Sequence, residues 1–207
     1  MSDSIRLIVS ETEESLFGKS KFLGNPDVWD DFEWPAIGDG DDAYDLTFIC
    51  QINCAEIAPY DKDNKLPHTG MLYFFYDLEE MPDDPFDQNT ARVLYYDGDL
   101  ENLVEVKVVD DDGEPLAHTE QKITFENVED GFMAEEEETH RMLGVPSSEC
   151  YFELPYGFEE MLLQIDSFEA DGVDYNFGDV GFLCFFIRPK DLAKKDFKDV
   201  RTALLYE

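Results

Sequence analysis

The sequence is short of positive charge. Its 207 residues include 15 Lys and Arg against 50 Asp and Glu, so the formal net charge is −35 at pH 7. A nucleic-acid-binding protein needs a basic surface to contact phosphates, and the basic pair Lys194–Lys195 is followed at once by Asp196. The composition therefore excludes nucleic acid as a partner. A basic protein is the partner that such a surface attracts, and a purely solubilising acidic shell is the alternative explanation.

Cysteine, histidine and long apolar runs are also scarce. The four cysteines (Cys50, Cys54, Cys150 and Cys184) form no C-x-x-C pair, and the three histidines share no spacing with them that is typical of a metal site. No apolar run approaches the roughly 18 residues of a membrane-spanning helix, and the first ten residues lack the apolar segment of a signal peptide. We therefore expect a soluble, cytoplasmic protein with no bound metal or cofactor and no membrane contact.

Apolar residues are plentiful enough for a packed core. They make up 43% of the chain, with 17 Phe and 10 Tyr, and they occur in short aromatic-rich runs bounded by Gly, Pro or Asp, which predict strands. The predicted strands cover residues 48–53, 70–76, 91–96, 102–109, 122–125, 161–166 and 181–186. Asp97–Gly98 indicates a turn between two of them. We also predict a helix over 132–143 and a short helix over 190–195 that begins at Pro189.

Three segments recur in the same order. Lys21–Pro26 is similar to Arg141–Pro146, Phe48–Asn53 to Met161–Asp166, and Gly70–Phe75 to Gly181–Phe186, with offsets of 120, 113 and 111 residues. Ordered matches of this kind indicate an internal repeat. We predict a single α+β domain, predominantly antiparallel β with a few short helices, whose two pseudo-symmetric halves (20–80 and 140–192) are joined by a β-rich connection (81–139).

The same segments resemble the YwqG-like family of bacterial proteins. The resemblance runs from about residue 20 to residue 206 and is carried, in order, by Ser20–Pro26, Glu33–Pro35, Phe48–Asn53, Leu66–Phe75, Leu162–Asp166, Gly178–Gly181 and Asp196–Arg201. It implies one duplicated domain spanning 1–207. The family has no established activity, so the resemblance implies a fold and no function.

Polar residues on the repeated strands are candidate ligand contacts. Gln51 and Asn53 share one strand face, and Gln164 and Asp166 share the corresponding face in the second half. If a pseudo-twofold axis relates the halves, these groups converge in a small polar cleft. The alternative is that they satisfy backbone groups of nearby loops. Asp179, beside the glycine that begins the last repeated strand, is a further candidate, with loop capping as its alternative.

A third group of candidates is aromatic. Trp29, Phe32 and Trp34 cluster in a short acidic, loop-like stretch, and large rings in such a setting are typical of protein interfaces. The alternative is that these rings fold back over the sheet as a lid.

Two classes of function follow. No nucleophile–base pair, metal site or phosphate-binding loop is found in the sequence, so we assign no catalytic residue and favour a non-catalytic acidic protein. Such a protein would bind a basic protein, for example a cationic toxin in an immunity role. The alternative is a small-ligand binder or hydrolase that uses a polar cleft between the two repeats.

Overall fold

The structure is a computed structural model that describes residues 3–38, 40, 43–109, 112–129, 140–146, 154–177 and 181–205. Within these residues the backbone forms sixteen strands and two short α-helices. No helix in the described ranges is long and apolar enough to cross a lipid bilayer.

The elements follow one another along the chain as a long series of strands with few helical turns. The strands are β1 (Asp3–Ser10), β2 (Lys21–Phe22), β3 (Asp27–Val28), β4 (Ala36–Ile37), β5 (Tyr44–Asp45), β6 (Thr47–Asn53), β7 (Met71–Tyr76), β8 (Ala91–Tyr96), β9 (Val104–Glu105), β10 (Gln121–Glu129), β11 (Arg141–Met142), β12 (Glu160–Asp166), β13 (Phe168–Ala170), β14 (Val173–Tyr175), β15 (Phe182–Ile187) and β16 (Val200–Leu205). The helices are α1 (Cys54–Ile57) and α2 (Pro189–Leu192), with 3-10 turns at Ala58–Tyr60 and Leu100–Asn102.

Ten strands form one sheet in the order β16–β15–β12–β11–β1–β10–β2–β6–β7–β8. Every neighbouring pair is antiparallel. The two edge strands, β8 and β16, approach each other, and the hydroxyls of Thr90 and Thr202 lie 2.6 Å apart across the gap. The sheet is therefore a nearly closed barrel, and the predicted, predominantly antiparallel architecture with a few short helices is confirmed.

The strand order has the same pattern on either side of the central pair β1–β10. Moving outward on one side, β11, β12, β15 and β16 contain 2, 7, 6 and 6 residues. On the other side, β2, β6, β7 and β8 also contain 2, 7, 6 and 6 residues. The chain thus places strands of equal length at equivalent positions of the barrel.

Local irregularities match as well. The ladder between β6 and β7 shifts register between Phe48 and Cys50, and the ladder between β12 and β15 shifts between Met161 and Leu163. After β2, Leu23 has a positive φ of 59°, and after β11, Leu143 has a positive φ of 61°. A positive φ is uncommon for leucine, so two such leucines at equivalent positions are a distinctive similarity between the two segments.

The central core lies inside the barrel between β7 and β15. All six residues of each strand are buried, so both faces of these strands are covered. On the inner face, the ring of Phe74 meets that of Phe185 edge-on, with centroids 5.5 Å apart. This geometry suits the charge distribution of aromatic rings, and the contact joins the two halves of the barrel.

The outer faces of the same strands pack in two separate clusters. The first outer cluster consists of Val28, Leu46, Phe48, Met71, Tyr73, Phe75 and Leu103. The second outer cluster consists of Phe158, Met161, Phe182, Cys184, Phe186 and Ala203. Because side chains alternate along a strand, each half of the sheet needs its own cover on the outside.

One predicted strand is shorter than expected and pairs elsewhere. Of residues 102–109, only β9 is a strand, and it pairs with β3 and not with β8. The turn signal at Asp97–Gly98 does not form a hairpin, because Asp99 accepts a hydrogen bond from the Glu101 backbone at 3.0 Å and begins a 3-10 turn. This local cap directs the chain away from β8.

The predicted helix over 132–143 is wrong at its end. Residues 131–139 lie outside the described part of the chain, but Arg141 and Met142 form β11, which pairs with both β1 and β12. Long-range pairing therefore overrides the local helix signal. By contrast, Pro189 does begin a helix, which ends at Leu192, and 122–125 lie within β10.

Substitution of Gly70 tests how tightly the loop before β7 is packed. Its φ is +83°, and an added Cβ would lie 2.1 Å from the carbonyl oxygen of Tyr96. Gly113 has the same φ of +83° with open space around it. We expect Gly113→Ala to lower the free energy of unfolding by about 1–2 kcal/mol, and Gly70→Ala by about 3 kcal/mol or more, because it adds a backbone clash. Urea unfolding of both variants measures the difference, and equal losses would contradict the packing described.

Candidate functional site

A groove of about 470 Å³ lies between the beginning of β6, the segment linking β9 to β10, and the end of β14. Its floor is apolar and is formed by Leu23, Trp34, Leu46 and Phe48. On its rim, Val109 is 45% exposed and Leu116 is 58% exposed. Concave sites with apolar walls and a few polar groups are typical of ligand and peptide binding.

The polar end of the groove is positioned by a hairpin. Strands β13 and β14 pair between Ala170 and Val173, and the two residues between them, Asp171 and Gly172, have φ values of 49° and 79°. Positive φ at both central residues defines the type I′ turn that Asp-Gly favours. The hairpin thereby places Asp171 at the turn and Tyr175 in the groove wall.

Aromatic packing fixes Tyr175. Its ring stacks on that of Phe168 with centroids 4.7 Å apart, and Phe168 contacts Phe22 edge-on at 4.9 Å. Burial, followed by the charge of Asp171, raises the pKa of Tyr175. The phenol is therefore a neutral hydrogen-bonding group and not a phenolate.

His118 connects Asp171 to Tyr175. Its Nε2 lies 2.5 Å from the Tyr175 hydroxyl oxygen, and its Nδ1 lies 3.4 Å from Oδ2 of Asp171. The Asp171 carboxylate is held in turn by Thr119, whose backbone N–H donates at 2.6 Å and whose hydroxyl donates at 2.9 Å. These two hydrogen bonds, with a smaller contribution from His118, lower the pKa of Asp171. The three side chains form a connected carboxylate–imidazole–phenol chain, which we call the groove triad.

Charged groups surround the groove. Lys107 and Asp45 line it, and Asp112 and Glu114 lie exposed on the segment between the rim residues Val109 and Leu116. The charges of the lysine and the aspartate that line the groove cancel each other, whereas the exposed residues next to the groove are acidic.

The sequence-predicted residue Gln51 lies outside the groove in a closed network of its own. Its side-chain oxygen accepts from the Asp27 backbone at 2.9 Å, and its amide donates to the Lys19 carbonyl at 2.9 Å and to Oδ2 of Asp27 at 2.7 Å. Asn53 begins α1, accepting from the Ala55 backbone at 3.0 Å and donating to the Gly18 carbonyl at 2.8 Å. These contacts match the alternative explanation given for the polar residues, in which they satisfy backbone groups of nearby loops.

The structure does not bring Gln164 and Asp166 to the same place as Gln51 and Asn53. Four strands separate β6 from β12 in the sheet order. Gln51 lies opposite Tyr73 of the first outer cluster, whereas Gln164 lies opposite Cys184 of the second. Paired residues share a face, so the two glutamines point to different outer clusters and do not converge.

The remaining members of the predicted cleft add no shared site. The backbone N–H of Asp166 donates to Nδ1 of His140 at 3.2 Å. Asp179 lies outside the described residues. In the part of the chain that the structure describes, no group of three or more His, Cys, Asp or Glu is placed to hold a metal ion. Ligand binding by the five predicted residues stays a prediction.

The aromatic candidates form a lid on the first outer cluster. Trp29 stacks on Tyr96 at 5.3 Å, and Trp34 meets Phe75 edge-on at 5.4 Å while its indole N–H donates to the Leu46 carbonyl at 2.8 Å. Phe32 lies between the two tryptophans, 5.1 and 5.9 Å from them. All three are partly buried, and Trp34 also lines the groove.

A buried lysine stabilises the segment that precedes the lid in the chain. Lys21 is 1% exposed, and its Nζ lies 3.2 Å from Oδ2 of Asp27 and 3.1 Å from Oε2 of Glu120. The same Oδ2 also accepts from the Gly18 backbone at 2.9 Å. A buried charge requires such partners, so this network accounts for Lys21 as a structural residue.

Sequence patterns alone missed the groove because its walls come from distant segments. Leu23, Phe48, Leu116 and Tyr175 belong to four different parts of the chain. One signal was available: Asp171–Gly172 is the kind of dipeptide that forms two-residue hairpin turns. It locates the hairpin but carries no information about its contact with His118.

Comparison with known proteins identifies a family but no characterised relative. The family model described as "Domain of unknown function (DUF1963)" matches residues 20–204. No curated protein matches the chain.

Removing the Gln51 side chain tests its structural role. We expect Gln51→Ala to lower the free energy of unfolding by about 2–4 kcal/mol, because it leaves the buried Asp27 N–H and the Lys19 carbonyl without their partner. The exposed Gln88 provides a matched control, and its alanine variant should change stability by less than about 0.5 kcal/mol. Urea unfolding measures both. A Gln51→Ala loss no larger than that of the control would argue for a ligand-binding role instead.

Proposed function

We propose that this chain, which belongs to the DUF1963 family of unknown function, is a non-catalytic protein that binds a basic protein partner at the groove. One observation carries the proposal: a groove with an exposed apolar rim lies on a surface that is strongly acidic. A partner that inserts an apolar side chain and surrounds it with lysines or arginines would match both properties.

The apolar rim supplies the anchoring part of the interaction. Val109 and Leu116 expose large side chains at the groove mouth, and Leu46 and Phe48 provide a rigid floor because they belong to the first outer cluster. Removing such surface from water favours association by about 25 cal/mol per Å². A preformed floor also reduces the conformational entropy that binding would otherwise lose.

Acidic charge supplies attraction at longer range. Residues 77–101 contain nine Asp and Glu but one basic residue, Arg92. Many basic side chains elsewhere are already engaged by carboxylates, as in the pairs Lys65–Glu160, Lys122–Glu14 and Arg188–Asp199. The remaining field is negative and steers basic partners towards the protein. A cationic toxin neutralised in an immunity role is one partner of this chemistry.

The groove triad supports a second candidate, a small-ligand binder. Its His118–Tyr175 pair is a preformed polar contact at one end of an apolar groove, as in sites that orient a small molecule. Hydrolysis is the weaker form of this candidate, because a phenol with a raised pKa is a poor nucleophile.

We further propose that the two halves arose by duplication of one segment, within a YwqG-like branch of the family, and that the protein works in the cytoplasm. The equal strand lengths, the matched register shifts and the positive φ of Leu23 and Leu143 support the duplication. The groove then lies where the halves meet, since Leu23 and Phe48 come from the first half and Tyr175 from the second.

A defined peptide tests the proposed function. The probe is acetyl-Gly-Arg-Phe-Arg-Gly-amide, which carries one apolar anchor and two cations. We expect it to shift the indole N–H resonance of Trp34, and we expect its affinity to fall by about threefold or more from low to high salt as the charges are screened. Two-dimensional NMR measures both, with a Trp29→Phe variant used to assign the indole signals.

Two surface variants locate the binding site of that peptide. Leu116→Ser removes an apolar side chain from the rim, and we expect it to weaken binding about fivefold. Val173→Ser is the matched control, since Val173 is 46% exposed and lies outside the groove lining. Equal affinities of the two variants, or binding that is insensitive to salt, would overturn the proposal.

A further inference from the structure

The groove triad has one arrangement of protons that satisfies all its members when His118 is neutral. The Asp171 carboxylate accepts hydrogen bonds only, so the imidazole nitrogen that faces it, Nδ1, carries the ring proton. Nε2 is then an acceptor, and the Tyr175 hydroxyl donates to it at 2.5 Å. Because the phenol proton is directed at His118, the lone pairs of the Tyr175 oxygen remain able to accept a hydrogen bond from a group bound in the groove that Tyr175 lines.

From this arrangement we propose that Tyr175 is the specificity-determining residue of the groove: it accepts a hydrogen bond from an ammonium or guanidinium group of the ligand, and His118 controls that contact by its protonation. The inference rests on the proposed function, because it assigns a contact within the groove that the basic partner is proposed to occupy. It names the chemical group recognised there, a cation attached beside an apolar side chain.

The surroundings of the triad favour a cation in this position. Asp171 places a carboxylate behind His118, and a neutral imidazole between a carboxylate and a phenol increases the negative character of the phenol oxygen. A ligand cation would therefore donate to Tyr175, which donates to His118, which donates to Asp171, so every hydrogen bond in the chain points towards the carboxylate. The apolar floor beside it suits the methylene groups of a lysine or arginine stem.

Protonation of His118 would reverse the contact. With a proton on both ring nitrogens, Nε2 donates to the Tyr175 oxygen, and the phenol proton turns towards the groove. Tyr175 then presents a donor, and the imidazolium adds a positive charge. A cation is accepted when His118 is neutral and repelled when it is charged, so affinity for a basic ligand is present at higher pH and is lost as the pH falls.

Other charged groups near His118 do not reverse this sign. Asp171 faces its Nδ1 from the hairpin turn, and Lys107 and Asp45 line the same groove with opposite charges. Glu120, on the same segment as His118, has its carboxylate 3.1 Å from Lys21. Histidine side chains in general change charge between about pH 5 and 8, so the experiment spans that interval.

The experiment compares two isosteric peptides at two pH values. The probes are acetyl-Gly-Arg-Phe-Arg-Gly-amide and the same peptide with both arginines replaced by citrulline, which keeps the shape and removes the charge. At about pH 8 we expect the arginine peptide to bind at least about tenfold more tightly than the citrulline peptide, and at about pH 5 we expect that preference to fall to about threefold, the part that the still-ionised acidic surface supplies. The Trp34 indole resonance reports binding in every case.

Two substitutions separate the triad from the general acidity of the surface. Tyr175→Phe keeps the stacked ring and removes the hydroxyl, and it should lower the arginine preference at pH 8 and abolish its dependence on pH. His118→Gln supplies an amide that does not titrate, and it should retain the preference at both pH values. The thermal midpoint of each variant confirms that it is folded.

The possible results distinguish a failure of the Tyr175 contact from a failure of peptide binding at the groove. If both peptides bind at the groove with equal affinity at about pH 8, the groove binds peptides but the cation contact at Tyr175 is wrong. The same contact is overturned if Tyr175→Phe behaves as the wild type or if the pH dependence persists in His118→Gln. If neither peptide perturbs Trp34, the proposed function itself fails.

Discussion

The whole structure depends on covering both faces of β7 and β15. Each of these strands buries six consecutive side chains, a pattern that a single core cannot satisfy because alternate residues point in opposite directions. The inner faces meet across the barrel through Phe74 and Phe185. The outer faces require separate cover, which the Trp29–Trp34 segment supplies on one side and Phe158 with Leu154 on the other.

That requirement also explains where the groove lies. The lid over the first outer cluster ends at Trp34, which rests on Phe75 and is bonded to Leu46. Beyond this edge the floor remains apolar but the cover is incomplete, and Tyr175 of the hairpin β13–β14 lines the groove there. A binding surface thus forms at the boundary between a lid and a neighbouring hairpin, supported by side chains that the core has already fixed.

The parts of the fold that sequence patterns predicted were those decided within a few residues. Long apolar runs predicted β6, β7, β12 and β15, and the start of α2 followed from Pro189. Strands β2 and β11 were missed because two residues carry no periodicity, and partners from distant strands decide their pairing.

For Gln51, the shared face with Asn53 follows from alternation, but its distance from Gln164 depends on the order of strands in the sheet. The groove triad depends on contacts between residues more than fifty positions apart, which no local pattern contains.

The gap between β8 and β16 has a consequence for association between copies of the chain. Edge strands normally present unpaired backbone amides and carbonyls that recruit strands from other molecules. Here the two outermost strands of the sheet turn towards each other, with the hydroxyls of Thr90 and Thr202 in contact between them. Each edge therefore limits the access of a strand from another molecule to the other edge, and this protection comes from geometry and not from the negative charge of the surface.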